Sequence, residues 1–246
     1  MVDSMKVDSE TKEKYDRFVE LMVKKYGAHW CAVIDEDGDI PSYKAMDESL
    51  EDKFLRSSRS LYWTFMIMGE AAGLPDLEGK YLETIWTKKY LYNYLYIMRL
   101  KNEVVMLGTE NKIEEFMMRL ISSMSAEYAP EIPGLVGFGI GDYSGNTLQH
   151  YLNMEKLKML GGEEYDENEA KSIFEDITKE IFEKFMFMGK AGFGGGKYME
   201  VIWENVTGWM FPYKDMVAVA VFETDKKDTI INIMSFIMEN IDKFGD

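Results

Sequence analysis

The chain repeats itself, and that limits its fold more than any other feature. Lys80-Tyr-Leu-Glu-Thr-Ile-Trp86 recurs as Lys197-Tyr-Met-Glu-Val-Ile-Trp203, an offset of 117. Phe65-Met-Ile-Met-Gly69-Glu-Ala71 recurs as Phe185-Met-Phe-Met-Gly189-Lys-Ala191 at an offset of 120. Gly27 with Asp35-Glu-Asp-Gly38 aligns with Gly134 and Asp142-Tyr-Ser-Gly145 at 107, and Thr109 aligns with Thr224 at 115. Collinear matches with small drifts in offset are the mark of a duplication. The step from 107 to 120 places an insertion in the second copy, near Leu152 to Asp166. The 246 residues therefore divide into repeat 1 (11–127) and repeat 2 (128–246), with a helix at 112–127 shared and 1–10 as a flexible N-terminus.

Within each copy the hydrophobic pattern changes period in the same order. A short apolar strand (Trp30 to Asp35; Leu135 to Gly141) runs into an Asp/Gly turn, which predicts a β-hairpin. A long helix follows, with Leu50, Phe54, Leu61, Phe65 and Met68 at helical spacing in copy one and Phe174, Ile177, Ile181, Phe185 and Met188 in copy two. Gly73 and Gly192 stand where helix C-caps belong. Three strands close each unit: Tyr81 to Lys88, Tyr90 to Met98 and Val104 to Thr109, then Tyr198 to Asn205, Trp209 to Tyr213 and Val217 to Glu223. Alternation puts Tyr90, Tyr92, Tyr94 and Tyr96 on one sheet face. Apolar helices before, between and after the copies make the predicted order α-ββαβββ-α-ββαβββ-α, an α+β fold.

Charge and composition remove whole classes of function. Asp and Glu outnumber Lys and Arg 44 to 28, for a net charge of −16. That sign repels a phosphate backbone and an anionic membrane surface, so nucleic acid is not an expected partner. A hydrophobic fraction of 46% is too high for a disordered acidic tail. One cysteine, Cys31, forms no internal disulfide, and with only His29 and His150 beside it no tetrahedral Cys/His metal site can be assembled. The charged N-terminus lacks a signal-peptide core, and no run approaches the roughly 20 apolar residues of a membrane span. A cytoplasmic protein without membrane insertion is the expectation.

Ile34-Asp35-x-x-Gly38 and Ile140-Gly141-Asp142-x-x-Gly145, each at a first hairpin ahead of a long helix and a three-stranded meander, resemble the roadblock family of the dynein light-chain type, related to longin and profilin-like folds. The resemblance spans nearly the whole chain, twice. It implies a fold of tandem roadblock-like ββαβββ units, joined as a pseudo-dimer with a continuous antiparallel sheet flanked by helices. Family members generally have no enzyme activity of their own. They pair through the long helix and the neighbouring strand, and many are scaffolds or regulators of Ras-like small GTPases, as in Ragulator and the bacterial polarity-switch partner. The resemblance thus implies protein binding, with a small GTPase or another regulatory protein as partner and no cofactor. Fusion of the copies raises their effective concentration to ~mM or above. A profilin-like ligand-binding sensor and a structural subunit of a larger complex are the alternative readings.

The face of the first long helix opposite its apolar stripe is the candidate partner-binding surface. At 100° per residue, Asp52, Arg56, Arg59, Trp63 and Ile67 gather on one side, an aromatic and an aliphatic residue beside two arginines, as at many binding hot spots. Packing of Trp63 and Ile67 between the copies is the competing reading. The corresponding positions in copy two are Ser172, Asp176, Lys179, Glu183 and Phe187, so the second face is largely acidic. All five arginines, Arg17, Arg56, Arg59, Arg99 and Arg119, lie in the first half. An arginine finger on this surface would have to be Arg56 or Arg59; an i,i+4 pair of Asp52 with Arg56 is the plainer expectation.

Other motifs dissolve on inspection. Gly192-Phe-Gly-Gly-Gly-Lys197 lacks the Ser/Thr and helix start of a phosphate loop and reads as a turn. Gly137, Gly139 and Gly141 alternate within a strand and form no dinucleotide fingerprint. Asp35, Asp37 and Asp39 lack the closing Glu of a calcium loop and read as turn acids. No catalytic Cys-His or Ser-His-Asp spacing is present, and the 20 methionines are core filler first and adaptable contact surface second.

Overall fold

A computed structural model describes residues 7–244 except 36, 72–80, 86–93, 102, 124–127, 143–146, 162–165, 167, 170, 173–174, 177–178, 181–182, 184–198, 204–205, 214–215 and 224–225. The chain divides into two compact units. One comprises Met1–Phe116 together with Ile230–Asp246, the other Met117–Thr229. The unit boundaries thus fall inside two helices rather than in loops, and the last helix of the chain, from Ile230 on, belongs to the first unit.

In the first unit, helix α1 (Ser9–Glu20) is capped by Asp8, whose carboxylate accepts from the Thr11 N–H at 2.9 Å. It widens into a π turn at Leu21–Lys25, which buries Leu21, Met22 and Val23 in succession. Gly27, with φ at 76°, then turns the chain into β1 (Trp30–Ile34). β1 pairs with β2 (Ser42–Ala45) and is followed by α2 (Glu51–Ala71), β3 (Tyr81–Ile85), β4 (Tyr94–Arg99) and β5 (Val104–Thr109). The antiparallel sheet has the order β2-β1-β5-β4-β3. α2 therefore leads from one edge of the sheet to the other. Four inter-strand steps span about 19 Å, which a helix of 21 residues, about 31 Å long, covers with room to tilt.

Alternation along the strands sorts the core. Trp30, Ala32 and Ile34 of β1, Leu95 and Ile97 of β4, and Val104 and Met106 of β5 pack with Phe54, Tyr62 and Phe65 of α2. The intervening Cys31, Val33, Tyr96, Met98, Val105 and Leu107 are also buried, on the opposite face, so the sheet is covered on both sides. α1 packs on β1 and β2. Tyr94 and Tyr96 stack at 6.3 Å on one face as the alternation predicts, and Tyr96 accepts the Ile113 N–H at 2.9 Å, fixing the start of α3 (Ile113–Ser123). Tyr90 and Tyr92 lie outside the described residues. The C-terminal part of the chain joins this unit through Arg17 with Asp242 and through Lys25 Nζ, which donates to the Phe244 carbonyl at 3.2 Å.

The second unit repeats the plan. β6 (Leu135–Asp142), β7 (Thr147–Leu152), β8 (Met199–Trp203), β9 (Val206–Tyr213) and β10 (Met216–Phe222) form a sheet of order β7-β6-β10-β9-β8, the same as the first. Gly134 precedes β6 with φ at 74°, matching Gly27 before β1. α4 (Met154–Gly161) lies in the insertion expected near Leu152 to Asp166, and the last helix, α5 (Lys226–Glu239), follows β10. The described residues between 168 and 183 are helical, where the second long helix is expected. Gly73 and Gly192 lie outside the described residues. The α+β class and the ββαβββ order are found in both units. Backbone pairing divides the described strands into two five-stranded sheets, whereas one continuous sheet is expected of a pseudo-dimer, because each hydrogen-bonded ladder is completed by strands of its own unit.

Candidate functional site

The Asp-x-x-Gly motif of the first hairpin folds for reasons visible in its own atoms. Asp35 Oδ1 accepts the N–H groups of Asp37 at 3.1 Å and Asp39 at 2.9 Å, and the Asp35 carbonyl accepts the Gly38 N–H at 3.1 Å. Gly38 has φ at 80°, and a Cβ on it would lie 2.8 Å from Tyr62 Cε1 and 3.1 Å from Trp63 Cζ2. Only glycine fits both the backbone conformation and the rings above it. Burial pushes the Asp35 carboxyl above the usual carboxylate range, and the charges of Asp39 and Asp37 add to this against the two backbone N–H bonds. Asp35 is thus a turn-closing acid, and the hairpin tip is fitted against α2.

On α2 the buried side carries Phe54, Ser58, Tyr62 and Phe65, while Leu50 and Leu61, expected in the core stripe, are only half-buried. Sequence reasoning missed Tyr62, although it stands four residues from Ser58 and eight from Phe54, because polar atoms hid the stripe. Ser58 satisfies its hydroxyl by donating to the Phe54 carbonyl at 2.7 Å, and so enters the core without an orphan group.

Opposite that seam, Asp52, Arg56, Arg59, Trp63 and Ile67 are all exposed, as their spacing predicts. Trp63 is 50% exposed and Ile67 61%, although both are large apolar side chains. Trp63 leans edge-on against Tyr62, with ring centroids 5.2 Å apart, which holds the indole in one direction. Arg59 Nη2 lies 3.7 Å from Asp39 Oδ1, tying the helix face to the hairpin. Among the described residues Asp52 and Arg56 form no ion pair, so the expected i,i+4 pairing is absent there and Arg56 projects without a carboxylate partner. Met46, which precedes α2, is a further exposed large apolar residue that sequence reasoning did not single out.

In the second unit Ser172, Asp176, Lys179 and Glu183 are likewise exposed, and Phe187 lies outside the described residues. The helical stretch starts with a capping box that sequence reasoning passed over. Asp166 Oδ1 accepts the N–H groups of Asn168 and Glu169, and Glu169 Oε2 accepts the Asp166 N–H at 3.2 Å. The signal was legible as Asp166-x-x-Glu169. Gly137, Gly139 and Gly141 lie in the middle of a sheet, paired with β7 on one side and β10 on the other, so no helix N-terminus meets them. The glycine-rich 192–197 segment lies outside the described residues. Among the described residues no group of three or more His, Cys, Asp or Glu side chains converges as metal ligands would, and no helix is long and apolar enough to cross a membrane. Burial pushes the Cys31 thiol well up and keeps it protonated.

The fold and this face define an α+β protein with two similarly ordered sheets and an exposed, aromatic-centred helix surface. No family model and no curated protein matches the sequence. Among solved structures the chain is similar to MglC from Myxococcus xanthus, at 14% identity and a TM-score of 0.27, over 46% of this chain and 90% of that one.

Proposed function

We propose that this protein is a non-enzymatic, tandem roadblock-like scaffold or regulator that binds a Ras-like small GTPase or another regulatory protein. The repeats are taken as 11–127 and 128–246, sharing helix 112–127. The docking surface consists of Asp52, Arg56, Arg59, Trp63 and Ile67 of copy one, with Asp176, Lys179, Glu183 and Phe187 as the copy-two counterpart. The observation that carries it is the exposure of Trp63 and Ile67 on one helix face with Arg56 beside them. Solvent-exposed Trp63 and Ile67 lie about two and three turns from Arg56 on the same helix face, a composition that matches binding hot spots. The repeated hairpin and the shared strand order support the family resemblance.

The test is capture with the immobilised protein of GTPases loaded with GDP or a GTP analogue. Binding in one nucleotide state, lost in Trp63→Ala, supports the proposal; capture of no GTPase in either state overturns it. Hydrolysis by the captured GTPase that is unchanged by Arg56→Ala assigns a scaffold, and loss of stimulation assigns a finger.

A further inference from the structure

The outer face of α2 changes character along its length. Lys53, Arg56 and Arg59 stand in its N-terminal half and Trp63 and Ile67 in its C-terminal half, all five exposed. At 100° per residue Arg56, Trp63 and Ile67 fall within an arc of about 40°, with Lys53 on one flank and Arg59 on the other. Arg59 is held by Asp39, whereas Lys53 and Arg56 enter no ion pair among the described residues, in a chain that has 44 Asp and Glu to 28 Lys and Arg. Glu51, of the same first turn, is engaged by Lys44 at 3.8 Å, and Asp52, the acid of the outer row, does not cancel both cations. Their place in the helix also works against it. Lys53 lies in the first turn and Arg56 in the second, close to the end where unpaired N–H groups make a cation unfavourable. Neither a pair nor the helix dipole accounts for these two charges, and both are presented to an anion from outside.

We propose that the partner segment received by α2 is an amphipathic helix, with carboxylates against Lys53 and Arg56 and apolar side chains against Trp63 and Ile67; this gives the chemistry of the partner in the docking reading above and rests on that reading. The spacing selects a helix. From Arg56 to Trp63 is seven residues, about 10.5 Å of rise, and from Arg56 to Ile67 eleven, about 16.5 Å. Positions i, i+7 and i+11 of a second helix match both spans and share one face. An extended strand covers the same spans in about three and five residues at ~3.4 Å each, odd numbers that turn the matching side chains to opposite faces. Trp63, steadied edge-on by Tyr62, is the apolar anchor. Reversing the incoming helix would lay its carboxylates on Trp63 and Ile67 and its apolar groups on two bare cations, so one direction is accepted. The net charge of −16 repels an acidic segment at long range, but that field is screened beyond about 8 Å at physiological salt, and at contact the local cations decide.

The probes are three synthetic helical peptides of about 18 residues, built on alanine and glutamine and carrying one common dye, titrated with the full chain by fluorescence anisotropy. The first has Glu at its third and sixth positions and Leu at its tenth and fourteenth. The second has Lys in place of Glu, and the third keeps Glu but moves both Leu two places, onto the opposite face. The glutamate peptide should bind at least tenfold more tightly than either of the others, against the order that a chain of net charge −16 imposes by its overall field. Lys53→Glu/Arg56→Glu should reverse the order of the glutamate and lysine peptides, and Trp63→Ala should weaken the glutamate peptide at least tenfold; all three positions are exposed, and far-UV circular dichroism checks that the variants fold. A glutamate peptide no tighter than the lysine or the shifted peptide overturns the proposal, as does an order unmoved by the charge reversal or an affinity unmoved by Trp63→Ala. A GTPase captured by a chain without the glutamate preference removes this partner chemistry and keeps the GTPase reading. The glutamate preference with no GTPase captured does the reverse.

Discussion

Adding one methyl group at Gly108 should destabilise the first unit, and the structure says by how much. Gly108 on β5 faces Trp30 on β1, its direct partner in the sheet register. A Cβ there would stand 2.2 Å from Trp30 Nε1 and 2.5 Å from Cδ1, against an ordinary contact of about 3.5 Å, so ring or strand must give by more than 1 Å. Neither moves easily. The indole is fully buried and stacked on Phe54 at 5.4 Å with an interplanar angle of 8°, and β1 is held by ladders on both sides. Overpacking of this kind costs about 1–3 kcal/mol, offset by about 0.4–1 kcal/mol from the reduced freedom of the unfolded chain. Gly108→Ala should therefore lose about 1.3 kcal/mol, roughly a tenfold change in the folding equilibrium, measured by urea unfolding of the transition that reports the first unit. Gly27→Ala is the control, since nothing lies within 4 Å of its Cβ position and only the positive φ of 76° is penalised, at about 1 kcal/mol. Trp30→Ala removes the clashing ring, so in a double-mutant cycle the Gly108→Ala loss should be smaller by about 1 kcal/mol in that background. A Gly108→Ala protein within 0.5 kcal/mol of wild type, or a cycle without coupling, refutes the packing argument.

Three further outcomes follow from the geometry. Asp35→Ala removes an acceptor serving two backbone N–H groups and should cost about 1–2 kcal/mol, whereas Asp35→Asn keeps the acceptor; because burial raises the folded carboxyl's pKa above its unfolded value, the native state holds the proton more tightly, so the Asp35 contribution is greatest in acid and is lost as pH rises past about 4, a fall that should vanish in Asp35→Asn when unfolding is measured from pH 3 to 7. Phe244→Ala should cost about 3 kcal/mol because the ring is buried against Phe236, while Arg17→Ala, which breaks only an exposed ion pair with Asp242, should cost at most about 1 kcal/mol; equal losses in thermal melts would contradict the reading that the buried ring rather than the ion pair holds the C-terminal segment. Trp63→Ala and Ile67→Ala should leave stability within about 0.5 kcal/mol, yet Trp63→Ala should weaken binding to a captured partner by about 30-fold in titration calorimetry; loss of stability without loss of binding would mean that the ring packs rather than recognises.

What the residues disclosed depended on how far apart the causes lie in the chain. Period-2 and helical spacings are local, so Val104 to Thr109 is found as predicted and α2 occupies the expected stretch. The Asp35-x-x-Gly38 turn was legible because its hydrogen bonds close within five residues. The exposed row from Asp52 to Ile67 followed from helical angle alone. Tyr62 was missed because its hydroxyl masked a ring that packs deeper than Leu61. The α4 helix was missed because an insertion has no repeat counterpart to align with. The assignment of Ile230–Asp246 to the first unit could not be read at all, since it depends on contacts such as Lys25 with Phe244, 219 residues apart, and a repeat predicts like folds without saying which unit a terminal segment joins.

The repeat also separates positions that carry the fold from positions at liberty to carry function. Gly27 and Gly134 match in residue and in φ, 76° and 74°, and the two sheets share one strand order. Changes at such places meet penalties of one to several kcal/mol, from backbone strain or from displaced core atoms. The outward rows differ at every paired position instead: Arg56 against Asp176, Arg59 against Lys179, Trp63 against Glu183. Exposed helix positions cost within about 0.5 kcal/mol to change, so packing alone cannot have dictated these choices. If the face of copy one is a recognition surface, carrying its residues across as Asp176→Arg, Lys179→Arg and Glu183→Trp should produce a protein with a wild-type melting curve and a second site for the partner of the first. Titration with that partner should then give a stoichiometry of two in place of one. A stoichiometry still at one, with stability unchanged, would show that recognition needs the hairpin tip fitted beneath Tyr62 and Trp63 as well as the helix row, and would move the weight of the site from the α2 face to its junction with Gly38 and Asp39.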